Sequence, residues 1–144
     1  MNQLNLLSKL RSIFENESNI IFAYLFGSMA RNRTRFGSDM DIAVYFKTEP
    51  SLHEIGRLSL LLEETFNCKV DLVELNKLEN HNPVLAFSIL SEGMMIISKE
   101  NNVITRFTKS VLLFYFDFKP TNDLINNYFS YRLSNNQFAV CEKK

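Results

Sequence analysis

Two groups of residues near the start of this chain have types and a spacing suited to chemistry on phosphates. Gly27 and Ser28 follow an apolar stretch, and Asp39 and Asp41 come shortly after them. A glycine lets the backbone approach a ligand closely, and a serine hydroxyl together with the free N–H groups of a following helix binds anions. Asp39 and Asp41 are spaced i and i+2, so at the start of a strand both carboxylates point to the same face, with Cα atoms about 6–7 Å apart.

These carboxylates predict a site for divalent metal ions. Adjacent anions are unfavourable unless a cation bridges them, and hard oxygen ligands suit Mg²⁺. A third carboxylate, Asp71, interrupts the apolar character of the β-rich run 69–75. If that strand pairs beside the one carrying Asp41, Asp71 can face the same metals. Three carboxylates and a phosphate-binding turn favour two-metal phosphoryl or nucleotidyl transfer.

At these residues the chain resembles the DNA polymerase beta nucleotidyltransferase superfamily. The resemblance lies in the Gly-Ser pair, the ten-residue gap, the Asp-x-Asp pair and the later strand aspartate, and it spans about residues 20–98. The short length makes the chain similar to the minimal nucleotidyltransferases, and most closely to the MNT antitoxins of HEPN/MNT toxin–antitoxin pairs. Arg31 matches the family pattern Gly-Ser-x-Ala-Arg-Gly, whereas Asn32 stands in place of its last glycine.

The resemblance implies an adenylyltransferase that uses ATP and two Mg²⁺ ions. Its residues form one set for metal binding and catalysis and another for the nucleotide phosphates. The sets are Asp39, Asp41 and Asp71 for metal and catalysis, and Gly27, Ser28, Arg31 and Ser38 for the nucleotide. Asp71 is the candidate general base. Only a short segment follows the core, so the acceptor surface is expected on another molecule. The resemblance indicates a HEPN-type RNase toxin whose tyrosine hydroxyl receives AMP, which makes this chain an antitoxin.

Two other classes of function remain open at this level. The first is a non-catalytic antitoxin that neutralises its partner by covering it, although the presence of all three carboxylates counts against a dead enzyme. The second is a free-standing nucleotidyltransferase that acts on a small hydroxylated molecule or an RNA end. The effect of removing the aspartate pair on partner neutralisation separates the first reading from the enzyme.

Composition narrows the broader class of protein. The chain has 144 residues, 46% of them hydrophobic, which is enough for one core in a domain of this size. Its 16 basic residues equal its 16 acidic ones, so no general nucleic-acid binding is expected. Cys68 and Cys141 share no spacing typical of a disulfide framework or a zinc site. The longest apolar run, residues 20–26, is too short to span a bilayer, and no signal sequence is recognised. We therefore expect a cytoplasmic protein with no membrane partner.

The pattern of apolar residues predicts an α/β (α+β) fold. It has a small mixed β-sheet packed by helices, mainly on one side, in a nucleotidyltransferase fold with a C-terminal helical extension. We expect two parts, the nucleotidyltransferase core at 1–98 and the extension at 99–144. The predicted strands are 20–26, 41–46, 70–75 and 94–97. The predicted helices are one ending near residue 16, then 52–66 with Ser51 as its cap, 83–90 opened by Asn82 and Pro83, 103–118 and 122–133.

The extension is rich in aromatic side chains. Half of the chain's 18 aromatic residues lie from Phe107 onward, and residues 111–116 are apolar on every face of a helix. Such a helix requires burial on more than one side. This helix either covers the sheet or forms an interface with another chain. In the second case, the C-terminal helices would join a homo-oligomer or a hetero-oligomer.

Overall fold

A computed structural model describes residues 3–27 and 39–118 of the chain. These residues form four strands and five helices. In chain order they are α1 (Gln3–Glu15), β1 (Ile20–Phe26), β2 (Met40–Phe46), α2 (Leu52–Phe66), β3 (Val70–Glu74), α3 (Leu78–His81), α4 (Pro83–Glu92), β4 (Met94–Ser98) and α5 (Asn101–Phe118). Every strand and every helix predicted within the described residues is present, with ends that differ by no more than two residues.

The four strands form one mixed sheet in the order β3-β2-β1-β4. Strand β1 pairs antiparallel with both β2 and β4, whereas β2 and β3 are parallel. A parallel pair needs a crossover connection, and α2 supplies it. The carboxyl end of β1 therefore lies beside the amino ends of β2 and β3, and three chain segments meet at one end of the sheet.

Helix ends are set by side chains that the sequence identifies. Ser51 caps α2, since its Oγ accepts a hydrogen bond from the Glu54 N–H at 3.0 Å. Asn82 caps α4 by accepting from the Leu85 N–H at 3.1 Å, and a proline follows at the first helical position. The four-residue helix α3 was not predicted, because it is too short to show a helical period.

Helices cover both faces of the sheet, and our expectation of helices mainly on one side is wrong. Leu10 and Phe14 of α1 and Leu58 and Leu62 of α2 pack on one face. The other face is covered by apolar side chains of α4 and α5, which are Ala86, Ile89, Leu90, Val103, Ile104, Phe107 and Val111. The physical reason is visible in β1, an unbroken apolar strand that exposes neither face to water.

Helix α5 is buried along one side and exposed along another. Beyond the residues that reach the sheet, Leu112 and Phe116 form a small cluster with Phe87 and Tyr115, and the rings of Phe87 and Tyr115 stack at 4.1 Å. On the other side, Leu113 is 71% exposed. The helix predicted at 122–133 lies outside the described residues. None of the described helices has the length and hydropathy needed to cross a membrane.

Candidate active site

Strand register brings the candidate residues together at one end of the sheet. Asp41 pairs with Phe26 of β1 on one side and with Asp71 of β3 on the other. Gly27 follows Phe26 directly and begins the turn that leaves β1. The condition on which Asp71 entered the candidate site, that β3 pairs beside β2, is met, and this pairing places two of the three carboxylates in adjacent positions on neighbouring strands.

The carboxylates share one face of the sheet. Met40 and Ile42 are buried against α1 and α2, so the alternation of a strand directs Asp41 to the opposite face. Asp71 occupies the same face, because residues paired in register project to the same side. Asp39 lies one residue before β2 and is exposed, as is Asp71, whereas Asp41 is half-buried. Asp39, Asp41 and Asp71 thus form a rim of carboxylates, the carboxylate rim, at one end of the sheet. It lies on the same face of the sheet that α4 and α5 cover.

Gly27 is in direct contact with Asp41. Its φ is +77°, a conformation that residues with side chains rarely adopt. A Cβ atom placed on Gly27 would overlap Oδ2 of Asp41, and it would lie 3.1 Å from Cγ and 3.3 Å from Cβ of that side chain. The sequence interpretation assigned Gly27 to close approach by a phosphate. The structure adds a second reason for glycine, which is the space that the Asp41 carboxylate occupies.

The electrostatics of the site are those of crowded anions. Burial raises the pKa of Asp41 above its ordinary value of 3.8, and the charges of Asp71 and then Asp39 raise it further. Each cause acts against the ionised form of Asp41. A cation held between these side chains would reverse the effect of both neighbours, because it favours ionised ligands.

The donor set fits a magnesium ion in its chemistry. All three candidates supply hard carboxylate oxygens, and their mutual repulsion is of the kind that a divalent cation relieves. Within residues 3–27 and 39–118, however, no three aspartate, glutamate, histidine or cysteine side chains converge closely enough to hold a metal ion. Asp41 and Asp71 are placed by paired strands, whereas Asp39 lies one residue before β2.

The turn between α2 and β3 lies beside the carboxylates. It begins at Asn67, which ends α2 with φ +52°, and continues through Cys68 and Lys69. The Lys69 carbonyl accepts a hydrogen bond from the Met40 N–H at 2.8 Å, so the turn is joined to the residue between the two aspartates of β2. Cys68 packs on the α1–α2 side of the core and is half-buried.

The pKa of the Cys68 thiol offers an experimental test of where Asp39 lies. Burial raises the pKa of Cys68, and the charges of Asp39 and then Glu63 raise it further. We expect Asp39→Asn to lower this pKa and to shift the pH profile of alkylation to lower pH, because the thiolate is the reactive form. The measurement is the iodoacetamide rate against pH in a Cys141→Ser background. Asp117→Asn is the control, and a profile unchanged by Asp39→Asn would place that carboxylate away from the turn.

The remaining sequence-predicted residues are not all placed. Ser28, Arg31 and Ser38 lie outside the described residues, so their assignment to the nucleotide stays a prediction. An open cavity of about 500 Å³ lies at the opposite end of β2 and β3, where Glu74 ends its strand. It is separate from the carboxylate rim, since Asp71 is at the other end of β3.

A comparison with known protein families identifies the family to which this chain belongs. Residues 8–102, about two thirds of the chain, match the family described as "Polymerase beta, Nucleotidyltransferase". The chain belongs to this nucleotidyltransferase family. The match contains all four strands and the whole carboxylate rim, so the enzyme class predicted from the motif is confirmed.

Individual relatives of this nucleotidyltransferase agree with the family. A protein of Methanocaldococcus jannaschii named as a protein adenylyltransferase is 37% identical over 75 residues, which are 52% of this chain and 77% of that protein. A chain in a toxin–antitoxin crystal structure with AMP-PNP shares the fold, with a TM-score of 0.64, 21% identity and coverage of 89% of this chain and 99% of that one. A chain in a structure of tri-AMPylated Shewanella oneidensis HEPN toxin with MNT antitoxin matches with a TM-score of 0.62, 22% identity and coverage of 88% and 97%.

Sequence reasoning missed the bond that Glu63 makes to the strand carrying Asp71. Glu63 accepts a hydrogen bond from the Val70 N–H at 3.2 Å, at the start of the strand that carries Asp71. Its position on α2 looks like that of an ordinary solvated glutamate. Only the register of β2 and β3 shows that Val70 has a free amide to satisfy, and that register is not readable from one sequence.

Proposed function

We propose that this nucleotidyltransferase transfers AMP from ATP to a tyrosine hydroxyl of a cognate HEPN RNase toxin and acts as its antitoxin. The observation that carries the proposal is the register pair of Asp41 and Asp71 beside Gly27, at the end of the sheet where three segments meet. Support for AMP and for a protein acceptor comes from the adenylyltransferase relative, and support for a HEPN partner from the fold shared with toxin–antitoxin structures.

The chain's own residues have distinct tasks in this reaction. Gly27 and Ser28 bind the β- and γ-phosphates, with Arg31 and Ser38 near the same oxygens. The tyrosine oxygen attacks the α-phosphorus, the bond from that phosphorus to the bridging oxygen breaks, and pyrophosphate leaves. Asp71 accepts the hydroxyl proton. Two Mg²⁺ ions held by Asp39, Asp41 and Asp71 would supply charge neutralisation on the triphosphate and activate the acceptor hydroxyl.

Antitoxin action follows from the charge of the product. An AMP group on a tyrosine near an RNase active site adds a phosphate and bulk where RNA phosphates must bind. Like-charge repulsion and steric exclusion then both disfavour the substrate. We propose the 1–98 core as the transferring part and residues 99–144 as the extension that contacts the partner or a second copy. Leu113 and Phe114, both exposed on α5, support this division.

The deciding experiment is transfer of label from ATP in cell extract with Mg²⁺. We expect a protein to be labelled by ATP carrying the isotope at the α-phosphate and not at the γ-phosphate, with mass spectrometry locating AMP on a tyrosine of a HEPN protein. An Asp39→Asn/Asp41→Asn double variant is the negative control. Label on a small molecule or RNA would favour the free-standing enzyme, and neutralisation of the toxin by the double variant would favour the non-catalytic antitoxin.

A further inference from the structure

The hydrogen-bond pattern of β3 leaves the amides of its even-numbered residues on the outer edge of the sheet. The Met40 N–H donates to the Lys69 carbonyl, and the Leu75 N–H donates to the Val44 carbonyl at 2.8 Å. In a parallel pair, alternate residues of a strand face their neighbour. The odd-numbered residues of β3 therefore bond to β2, and the Val70 N–H points away from the sheet.

Glu63 satisfies the outward amide of Val70 from the α2 side of the sheet. Its Oε2 accepts from the Val70 N–H, and its helix packs on the face of the sheet that the carboxylate rim does not use. The bond spans seven residues and closes the α2–β3 turn on itself. Strand β3 is short and, among the strands that the structure describes, pairs only with β2, so the turn is a second restraint on its first residues beside that pairing.

We propose that Glu63 is a positioning residue that holds the start of β3 and thereby sets the place of Asp71 relative to Asp41. This inference rests on the proposed function, since it concerns the same carboxylates. Asp71 is the residue directly after the one that Glu63 fixes, and the turn that Glu63 closes also carries the Lys69 carbonyl bonded to Met40. One side-chain acceptor thus restrains both catalytic strands without touching the nucleotide.

The substitutions separate the hydrogen bond from the charge. Glu63→Gln removes the charge and keeps an oxygen acceptor, whereas Glu63→Met keeps the length and loses the acceptor. Glu64→Met is the matched control, because Glu64 is the exposed next residue of the same helix. Thermal unfolding shows whether each variant folds. The readouts are exchange of the Val70 and Asp71 amides, a Mg²⁺ titration followed on the Asp71 amide, and kcat and KM for AMP transfer.

In Glu63→Met we expect the Val70 amide to exchange about tenfold faster. We also expect kcat to fall and the half-saturating Mg²⁺ concentration to rise, each by about threefold to tenfold, the range for one lost hydrogen bond. KM for ATP should stay within about twofold of the native value, because the phosphates bind elsewhere. Glu63→Gln should restore all three quantities, and Glu64→Met should change none.

The outcomes distinguish this inference from the function on which it rests. Normal transfer and normal Mg²⁺ binding by Glu63→Met would overturn the positioning role alone. An equal loss in Glu64→Met or in Glu63→Gln would also overturn it, because helix or charge effects would then explain the result. If the native protein neither transfers AMP nor responds to Mg²⁺, the proposed function fails and the positioning role fails with it.

Discussion

Asp41→Asn is expected to reduce AMP transfer by about a hundredfold to a thousandfold while the protein keeps or gains thermal stability in the absence of Mg²⁺. The loss of activity is of the size seen when one preorganised electrostatic group is removed from an active site. The stability follows from the raised pKa of Asp41. A carboxylate whose pKa is raised in the folded state destabilises that state once it ionises. The asparagine removes this charge and leaves the paired strands in place.

The pH dependence gives this prediction a sign that can be tested. In the native protein, Asp41 contributes less to stability as the pH rises from the ordinary pKa of 3.8 through the raised pKa of the folded state. Above the raised pKa this contribution stays constant. The melting temperatures of the native protein and Asp41→Asn should therefore converge in acid and separate near neutrality. Thermal unfolding followed by circular dichroism at several pH values is the measurement. A large loss of stability at neutral pH would mean that the carboxylate has a structural role.

Gly27→Ala is expected to reduce AMP transfer strongly and to destabilise the protein, with Gly27→Val worse in both respects. The residue adopts φ +77°, which costs a side-chain-bearing residue about 1–2 kcal/mol. The new Cβ would also displace the carboxylate of Asp41, so the change damages the site even where phosphate contacts survive. Nucleotide binding, transfer and thermal unfolding are the three measurements.

Gly56 provides the matched control for this substitution. It lies inside α2, and a Cβ placed there would meet nothing within 4 Å. Gly56→Ala should therefore stabilise the protein by about 0.5–1 kcal/mol, since alanine is the better helix former, with transfer unchanged. Normal transfer and normal stability in Gly27→Ala would show that the turn after β1 has been assigned wrongly.

Features of the fold that depend on neighbouring residues could be predicted from the sequence, and features that depend on distant residues could not. The caps at Ser51 and Asn82 and the unbroken apolar strand at 20–26 are local patterns, and the structure confirms the elements that they mark. The pairing of Asp71 beside Asp41 remained a condition at the level of the sequence, because strand order and register are not local properties of the chain. The partition of helices between the two faces could not be predicted, because it depends on the path of the chain in three dimensions.

The candidate site shows the same difference between local and non-local features. Residue types and spacing identified the carboxylates, since their chemistry is carried by the side chains themselves. The contact between Gly27 and Asp41 and the bond from Val70 to Glu63 were not predicted, because both arise from strand register and backbone conformation. In a single sequence, Gly27 and Glu63 do not differ from any other glycine and glutamate in a way that would reveal these two contacts.

The parallel pairing of β2 and β3 has a consequence for the order in which this protein folds. Strand β1 meets β2 in antiparallel register, but Asp71 reaches Asp41 only after the chain has passed through the whole of α2 and returned. Closing such a connection costs chain entropy before its contacts form, and here the closing step also brings anions together. Docking of β3 is therefore expected to follow the pairing of β1 with β2. Asp41 then acquires its backbone neighbour Phe26 before it acquires its acidic neighbour Asp71, so the chain assembles the turn side of the candidate site before the carboxylate side.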